Sequence, residues 1–279
     1  MKRAALLVTV LTLAAGLLLT TTGCKKLKAR DQLNKGVQAY RGANYEQAIE
    51  HFKSAVGLDP DLKVAKMYLA TAYAQQYVPG VDTPENLRNA QQAIEEYKNV
   101  LQGDSQNVTS LKGIAFLYLQ QKKFDEARDY YKKAIAADPN DPETYYSVGV
   151  IDWSQTYKDA ADVKGKEGLK VEDELKGKGS QKLCDQMKAK DGEIVDEGMK
   201  MLQTAIDKRQ DYDDAMAYMN LLYRRKAADM TCEDAQARAE FVKTANDWSD
   251  KAMIARKKKA DEAAKKTAGG IVLDQPKSK

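Results

Sequence analysis

Three cysteines and one histidine are the side chains of this 279-residue sequence best suited to nucleophilic, redox or metal chemistry. A single imidazole, that of His51, excludes any metal site built from several histidines. No C-x-x-C, H-E-x-x-H or G-x-S-x-G motif occurs, and no phosphate-binding G-x-x-x-x-G-K-[ST] loop is present. The sequence therefore predicts a protein that is not an enzyme and that holds no cofactor and no metal.

The balance of charges narrows the choice of partner. Forty-five basic and 41 acidic residues give a net charge of only +4, whereas a nucleic-acid binder normally shows a strong basic excess. The adjacent carboxylates of Glu172, Asp173 and Glu174 are interpreted as charges on a solvated segment, not as an acid–base pair. With 43% hydrophobic residues and only six prolines, we expect an all-α chain with a buried core and no bound nucleic acid.

The amino terminus has the organisation of a secretory signal. Lys2 and Arg3 precede an apolar run from Ala4 to Leu19, which is shorter than the roughly 20 residues of a membrane-spanning helix. The following Gly23-Cys24 junction resembles the lipobox of bacterial lipoproteins, except that Thr21 stands where leucine is usual. An uncleaved anchor, or an ordinary signal followed by an incidental cysteine, is the alternative interpretation.

The lipobox resemblance implies a location and an anchor. Residues 1–23 would be removed, Cys24 would be lipidated, and residues 24–28 would form a linker to the folded part. Lys25 follows the cysteine, where an aspartate retains enteric lipoproteins at the inner membrane. By that analogy the protein is expected in the bacterial cell envelope, on the periplasmic face of the outer membrane.

The elements that position these residues follow from an internal repeat. Tyr45-x2-Ala48-x3-Phe52-x2-Ala55-x4-Pro60 reappears as Phe124-x2-Ala127-x3-Tyr131-x2-Ala134-x4-Pro139. The small, aromatic and small residues fall at i, i+4 and i+7, which places them on one face of a helix. Matched positions recur after 34 residues, or after 45, 71 and 47 residues where the chain carries an insertion.

This pattern resembles the tetratricopeptide repeat (TPR), a pair of antiparallel helices that stacks on its neighbours. The resemblance implies an α-solenoid of about five repeats over residues 29–253. The insertions, near 76–89, 156–194 and 226–238, are predicted between the first and second helices of their repeats. Residues 254–279 are expected to form a long basic helix end and a tail, whose basic charges are either solvated or attracted to anionic lipid.

The longest insertion, 156–194, has two interpretations. It is either a tolerated surface expansion or a flap that closes over part of a binding groove. We expect it to be partly helical, around Val171–Leu175 and Gln181–Lys188.

The two remaining cysteines fall in the insertions of the fourth and fifth repeats, which the repeat register places on neighbouring turns. Outside the cytoplasm such a pair is expected to oxidise. The hypothesis is a Cys184–Cys232 disulfide; two free thiols, or a metal pair lacking further ligands, is the alternative.

TPR stacks usually bind extended peptides or partner helices on the face lined by the first helix of each repeat. The resemblance therefore predicts a partner-binding groove with aromatic, apolar and basic side chains. Its predicted members are Leu33, Val37, Tyr40, Arg41, Met67, Thr71, Lys112, Phe116, Leu119, Gln120, Tyr146, Val150, Trp153, Leu221, Arg224 and Arg225. Leu33, Val37, Met67 and Thr71 occupy positions where carboxylate-clamp TPRs need Lys and Asn, which disfavours a free C-terminal carboxylate as the ligand.

Two functions of different classes are consistent with this sequence. The first is a protein-binding adaptor held by lipid at the envelope, in outer-membrane assembly or in the assembly of secretion and pilus machinery. The second is an envelope lipoprotein that binds a glycan or lipid beneath the edge that carries the insertions.

Overall fold

The computed structural model describes residues 23–176 and 178–268. The predicted signal segment lies outside this part except for Gly23, and so does the tail after residue 268. Ten helices and one 3₁₀ turn, with no β-strand, form the described part. The helices are α1 (described over 23–41), α2 (Tyr45–Leu58), α3 (Lys63–Gln76), α4 (Pro84–Gly103), α5 (Val108–Gln120), α6 (Phe124–Ala137), α7 (Pro142–Lys166), α8 (Gln181–Lys208), α9 (Asp213–Asp229) and α10 (Ala235–Ala268), and the 3₁₀ turn is Lys178–Ser180.

The chain divides into two compact units, one ending at Ala137 and the next beginning at Asp138. In the first unit α3 packs on α4 and α5 on α6, while α2 and α4 contact the first helix of the following pair. In the second unit α7 packs on α8 and α9 on α10, and α8 contacts α9. The prediction of an all-α chain of about five helical hairpins with a long last helix is confirmed within the described residues.

Local sequence signals set where these helices begin. The side chains of Asn44, Thr83 and Asn107 accept hydrogen bonds from backbone N–H groups in the first turns of α2, α4 and α5. Asp141 does the same for α7, which, like α4, has a proline in its first turn. These caps satisfy backbone donors that the helix leaves without a partner.

The residues of the repeated small–aromatic–small pattern are buried where neighbouring helices pack together, as predicted. Ala48, Phe52 and Ala55 of α2 are fully buried. Gly36 of α1 lies so close to the Phe52 ring that an added Cβ would be 2.5 Å from it. Small residues therefore let the two helix backbones approach while the ring fills the space between them.

Residues 76–89, 156–194 and 226–238 each span a connection between two helices of a hairpin, and most of these residues lengthen the helices themselves. α7 has 25 residues and α8 has 28, against 14 for α2. Their extra turns carry Ala160, Val163, Cys184 and Met187, which form a small separate core with Leu175. The helix expected at Gln181–Lys188 is confirmed as the start of α8, whereas the one expected at Val171–Leu175 is wrong because those residues form an irregular loop.

The basic end of α10 is partly paired. Arg256 Nε and Lys259 Nζ lie 2.9 and 2.6 Å from the two carboxylate oxygens of Asp213, at the start of α9. Burial tends to raise the pKa of Asp213, but the hydrogen bonds from Lys259 and Arg256 lower it overall. These ion pairs fasten α10 to α9. None of the described helices has both the length and the hydropathy needed to cross a membrane.

Candidate functional site

An aromatic face runs along α7 in the second unit. Tyr146, Trp153 and Tyr157 follow one another at spacings of seven and four residues, which places them on one side of the helix. The rings of Trp153 and Tyr157 lie 5.3 Å apart between centroids. Tyr218 of α9 completes this face, since its ring contacts Trp153 at 5.4 Å and Tyr146 at 5.6 Å, edge to face in both pairs. We call these four residues the aromatic face.

The phenol groups of Tyr146 and Tyr218 remain neutral near physiological pH. Burial raises the pKa of Tyr146 and of Tyr218, and the nearby carboxylate of Asp214 adds to the shift in both cases. At these two positions the face therefore offers a ring and a neutral hydroxyl group to anything that contacts it.

A pocket of about 360 Å³ opens at the end of this face. Four of the predicted groove residues line it together: Trp153, Leu221, Arg224 and Arg225. The other lining residues are Tyr157, Val171, Glu172, Glu174, Ala227, Ala228 and Val242. Its surface is mainly aliphatic and aromatic, with charged groups at a few points, as is common in ligand sites.

The two neighbouring arginines of the pocket have different environments. Arg224 is exposed and donates hydrogen bonds to the amide oxygens of Asn220 at 3.1 Å and Asn246 at 2.8 Å. Within the part of the chain that the structure describes, it has no carboxylate partner. Its positive charge is thus available to a ligand in the pocket.

Arg225 requires a correction to the predicted groove. It is 7% exposed, and its Nη1 donates to Asp229 at 2.6 Å and to the carbonyl oxygen of Val171 at 3.2 Å. A guanidinium held in this way supports the inner wall of the pocket and is not an open contact residue. Its Nε has no hydrogen-bond acceptor among the described residues.

One wall of the pocket is the loop of residues 167–176, which we call the loop wall. Three of its carbonyl groups accept hydrogen bonds from cationic side chains. Lys164 Nζ donates to the carbonyl oxygens of Val171 at 2.8 Å and Asp173 at 2.6 Å, and Arg238 donates to that of Leu175 at 3.3 Å. Lys164 is fully buried and also forms an ion pair with Asp229.

The far end of the loop wall is fixed to α9. The Leu175 N–H donates to the Ala228 carbonyl oxygen at 2.8 Å, and the Leu175 side chain is fully buried beside Cys184. A disulfide joins Cys184 to Cys232, as hypothesised. The loop at the centre of the longest insertion is therefore one wall of the pocket, held by buried charges and a covalent link.

Comparison with known proteins shows which kind of repeat these helical hairpins resemble. Residues 87–148 match the family model described as tetratricopeptide repeat. Two solved structures of MamA, one of them from Desulfovibrio magneticus RS-1, superpose with TM-scores of 0.56 and 0.54, each at 16% identity. They cover 84% and 83% of this chain and 94% and 96% of theirs. This chain carries tetratricopeptide repeats.

A curated relative matches only part of the chain. A DnaJ homolog subfamily C member 7 homolog from Schizosaccharomyces pombe is 29% identical over 116 residues, which is 41% of this chain. The match spans 22% of the length of that relative. At such identity and coverage, the comparisons establish TPR architecture and leave the partner open.

The other predicted groove residues lie on the first helices of the TPR hairpins and do not line the pocket. Leu33, Val37, Tyr40 and Met67 are half-buried against the core of the first unit. Thr71 is also held internally, since it donates to the Met67 carbonyl oxygen and accepts from Tyr97. Arg41 and Phe116 are exposed, whereas Lys112, Leu119, Gln120, Tyr146 and Val150 are half-buried.

Several residues of the pocket were not predicted. Tyr157 follows Trp153 by one helical turn, and that spacing could have identified it. Val171 and Glu172 had no such signal, because they line the pocket through an irregular loop. Lys164 was missed because a lysine in a charge-rich insertion looks solvated in the sequence, yet it is buried.

The described residues contain no cluster of three or more His, Cys, Asp or Glu side chains arranged to bind a metal ion. Cys24 is an exposed free thiol at the start of α1. The adjacent carboxylates of residues 172–174 have different surroundings. Glu172 is exposed and lines the pocket, whereas the carboxylate of Glu174 lies 3.5 Å from Lys176 Nζ and 3.9 Å from Arg238 Nε.

Proposed function

We propose that this protein is a non-enzymatic scaffold that binds a partner protein through the aromatic face and pocket of its second unit. The observation that carries this proposal is the pocket itself. Two TPR first helices and the loop wall bring Trp153, Tyr157 and Leu221 to one apolar cavity. Beside it lies the guanidinium of Arg224, which has no carboxylate partner among the described residues. Large aromatic and arginine side chains are typical anchors of protein interfaces.

A glycan or lipid beneath the inserted segment is the second candidate, because Trp153 and Tyr157 do line a pocket that the insertion partly covers. Sugar recognition needs several polar groups, since a sugar presents many hydroxyls that must keep hydrogen bonds. The pocket supplies Arg224 and Glu172 as polar side chains that have no charged partner among residues 23–176 and 178–268. This scarcity favours an apolar peptide side chain as the occupant.

We further propose that the scaffold is anchored in the bacterial envelope through lipid on Cys24, and that its partner belongs to an outer-membrane, secretion or pilus assembly. The lipobox-like sequence supports the anchor, and the exposed position of Cys24 is compatible with it. A disulfide in the second unit is consistent with an oxidising compartment.

Photocrosslinking from native membranes tests the scaffold role. We would place a photoreactive phenylalanine at Tyr157, which is 38% exposed at the pocket, and as a control at Met253, which is 59% exposed on α10 and does not line the pocket. The expected result is one protein crosslinked from position 157 and absent from position 253. Crosslinks to lipid or glycan alone, or none from position 157, would contradict the proposal.

A further inference from the structure

We infer that the pocket selects a peptide segment in which an apolar side chain is directly followed by an acidic one. The apolar side chain would enter between Trp153 and Leu221, and the carboxylate would pair with Arg224. This inference rests on the proposed scaffold function and adds the chemistry of the partner to it.

The size and lining of the pocket support the apolar half of this motif. Its volume of about 360 Å³ lies near the lower end of the ~300–1,000 Å³ typical of ligand sites. Trp153 and Tyr157 supply flat rings, and Val171, Leu221 and Val242 supply aliphatic surface. A large apolar side chain with its adjoining backbone is the part of a protein that such a cavity accommodates.

The charges around the pocket support the acidic half. Lys164 and Arg225 are both buried and share one carboxylate, that of Asp229, so their ion-paired group retains one positive charge. Asp191 lies close enough to Asp229 to interact with it, but its raised pKa, about 7, means that it offsets this charge only in part near neutral pH. Arg224 adds a second cation with no carboxylate partner among the described residues.

Hydrogen bonding also favours an acidic group in the ligand. The Nε of Arg225 is buried with no acceptor in the described structure, and Arg225 lines the pocket. Because this Nε is buried, we assign the ligand carboxylate to the exposed Arg224. A carboxylate is the acceptor that a guanidinium binds best. Of the two acidic side chains that line the pocket, Glu174 is already near Lys176 and Arg238, so Glu172 is the one that would favour a basic ligand instead.

The test uses the fluorescence of Trp153. The chain has two tryptophans, so a Trp248→Phe background of the full-length protein leaves Trp153 as the reporter. The probes are three synthetic peptides, acetyl-Gly-Ser-Phe-Glu-Ser-Gly-amide and its counterparts with Gln or Lys in place of Glu. We expect the Glu peptide to change the Trp153 emission and to bind about fivefold or more tightly than the Gln peptide, with the Lys peptide weakest.

Matched variants assign the preference to one side chain. Arg224→Gln is expected to remove the preference for Glu over Gln while leaving the Gln peptide unaffected. Lys258→Gln removes one exposed charge from α10, far from the pocket, and is expected to keep the preference. Circular dichroism of each variant verifies that the protein is folded.

Three results would overturn the inference: tightest binding of the Lys peptide, equal binding of all three peptides, or no response to any of them in the folded protein. These failures are separable from failure of the scaffold role. A partner that crosslinks from position 157 without an acidic preference would leave the scaffold function standing and remove only this inference.

Discussion

Gly36 and Phe52 illustrate at the scale of single residues how the first TPR hairpin is built. A methyl group at position 36 would lie 2.5 Å from the Phe52 ring, which is itself fully buried. We therefore expect Gly36→Ala to lower the free energy of unfolding by about 1–3 kcal/mol through overpacking, although alanine is preferred to glycine in helices by up to ~1 kcal/mol. Urea unfolding measures the change.

Gly57 provides the matched control in the same unit. It lies in α2, and an added Cβ would meet nothing within 4 Å. Gly57→Ala is expected to leave the stability unchanged or to raise it. Equal stabilities of the two variants would show that the close approach of Gly36 to Phe52 is unimportant.

Asp191 makes the second unit sensitive to pH. It is fully buried on α8, and burial, followed by the neighbouring carboxylate of Asp159, raises its pKa to about 7; Lys190 opposes this shift and Asp229 adds to it. Between its ordinary pKa of about 4 and this value, the folded state binds more protons than the unfolded state. The stability must therefore fall as the pH rises through this window and level off above it.

The variant Asp191→Asn tests the predicted fall in stability with rising pH. Because the amide cannot ionise, we expect the variant to be more stable than the wild type at pH 8, by on the order of 1–3 kcal/mol. The difference should shrink as the pH falls towards 5. Denaturant unfolding of both proteins across this range is the measurement, and a variant that is less stable than the wild type at pH 8 would refute the argument.

At the scale of elements, the loop wall depends on its supports and not on any regular structure of its own. Lys164 and Arg238 hold its carbonyl groups, and Leu175 joins it to the small core beside the Cys184–Cys232 disulfide. A disulfide that closes a loop of this length contributes up to about 4 kcal/mol by the chain-entropy model. The wall, and with it the pocket, should therefore loosen when the link is removed.

We expect the double variant Cys184→Ala/Cys232→Ala to show a lower unfolding midpoint and faster amide hydrogen exchange over residues 167–176. Exchange over α2 to α6 should be unchanged, because those helices belong to the first unit. The reduced wild type should behave like the variant. Unchanged exchange in the loop wall would mean that the buried lysine and arginines hold it without the covalent link.

The same elements show what sequence could and could not predict. Helix pairing and the disulfide were predictable because repeat spacing fixes which residues share a face. Arg224 and Arg225 look equivalent in sequence, yet one is exposed and the other buried. The signal was the stripe of Met219, Leu222, Arg225 and Asp229, whose three- and four-residue spacing places an ion pair on the buried side of α9.

The detailed shape of the pocket could not be predicted from the sequence, although four of its lining residues were among the predicted groove residues. Its wall has no periodicity, and its shape is set by contacts between residues far apart in the chain, such as Lys164 with Asp229 and Leu175 with Ala228. The charge-rich composition of the insertion indicated a solvated segment, because the sequence does not distinguish a buried lysine from an exposed one. Whether a lysine such as Lys164 is buried depends on pairing with residues far away in the chain, and such pairing leaves no local sequence pattern.

At the scale of the whole molecule, the proposed membrane anchor depends on whether Cys24 is lipidated. Acyl chains contribute ~0.8 kcal/mol for each buried methylene, and about two chains suffice for stable anchoring.

We expect the full-length protein expressed in a bacterium to incorporate alkyne-palmitate and to stay with membranes through high-salt and carbonate washes. Cys24→Ser should lose the label, whereas Cys184→Ser should retain it. An unlabelled wild type that still resists the washes would instead indicate an uncleaved amino-terminal anchor, because the apolar run from Ala4 to Leu19 would then be the segment that holds the membrane.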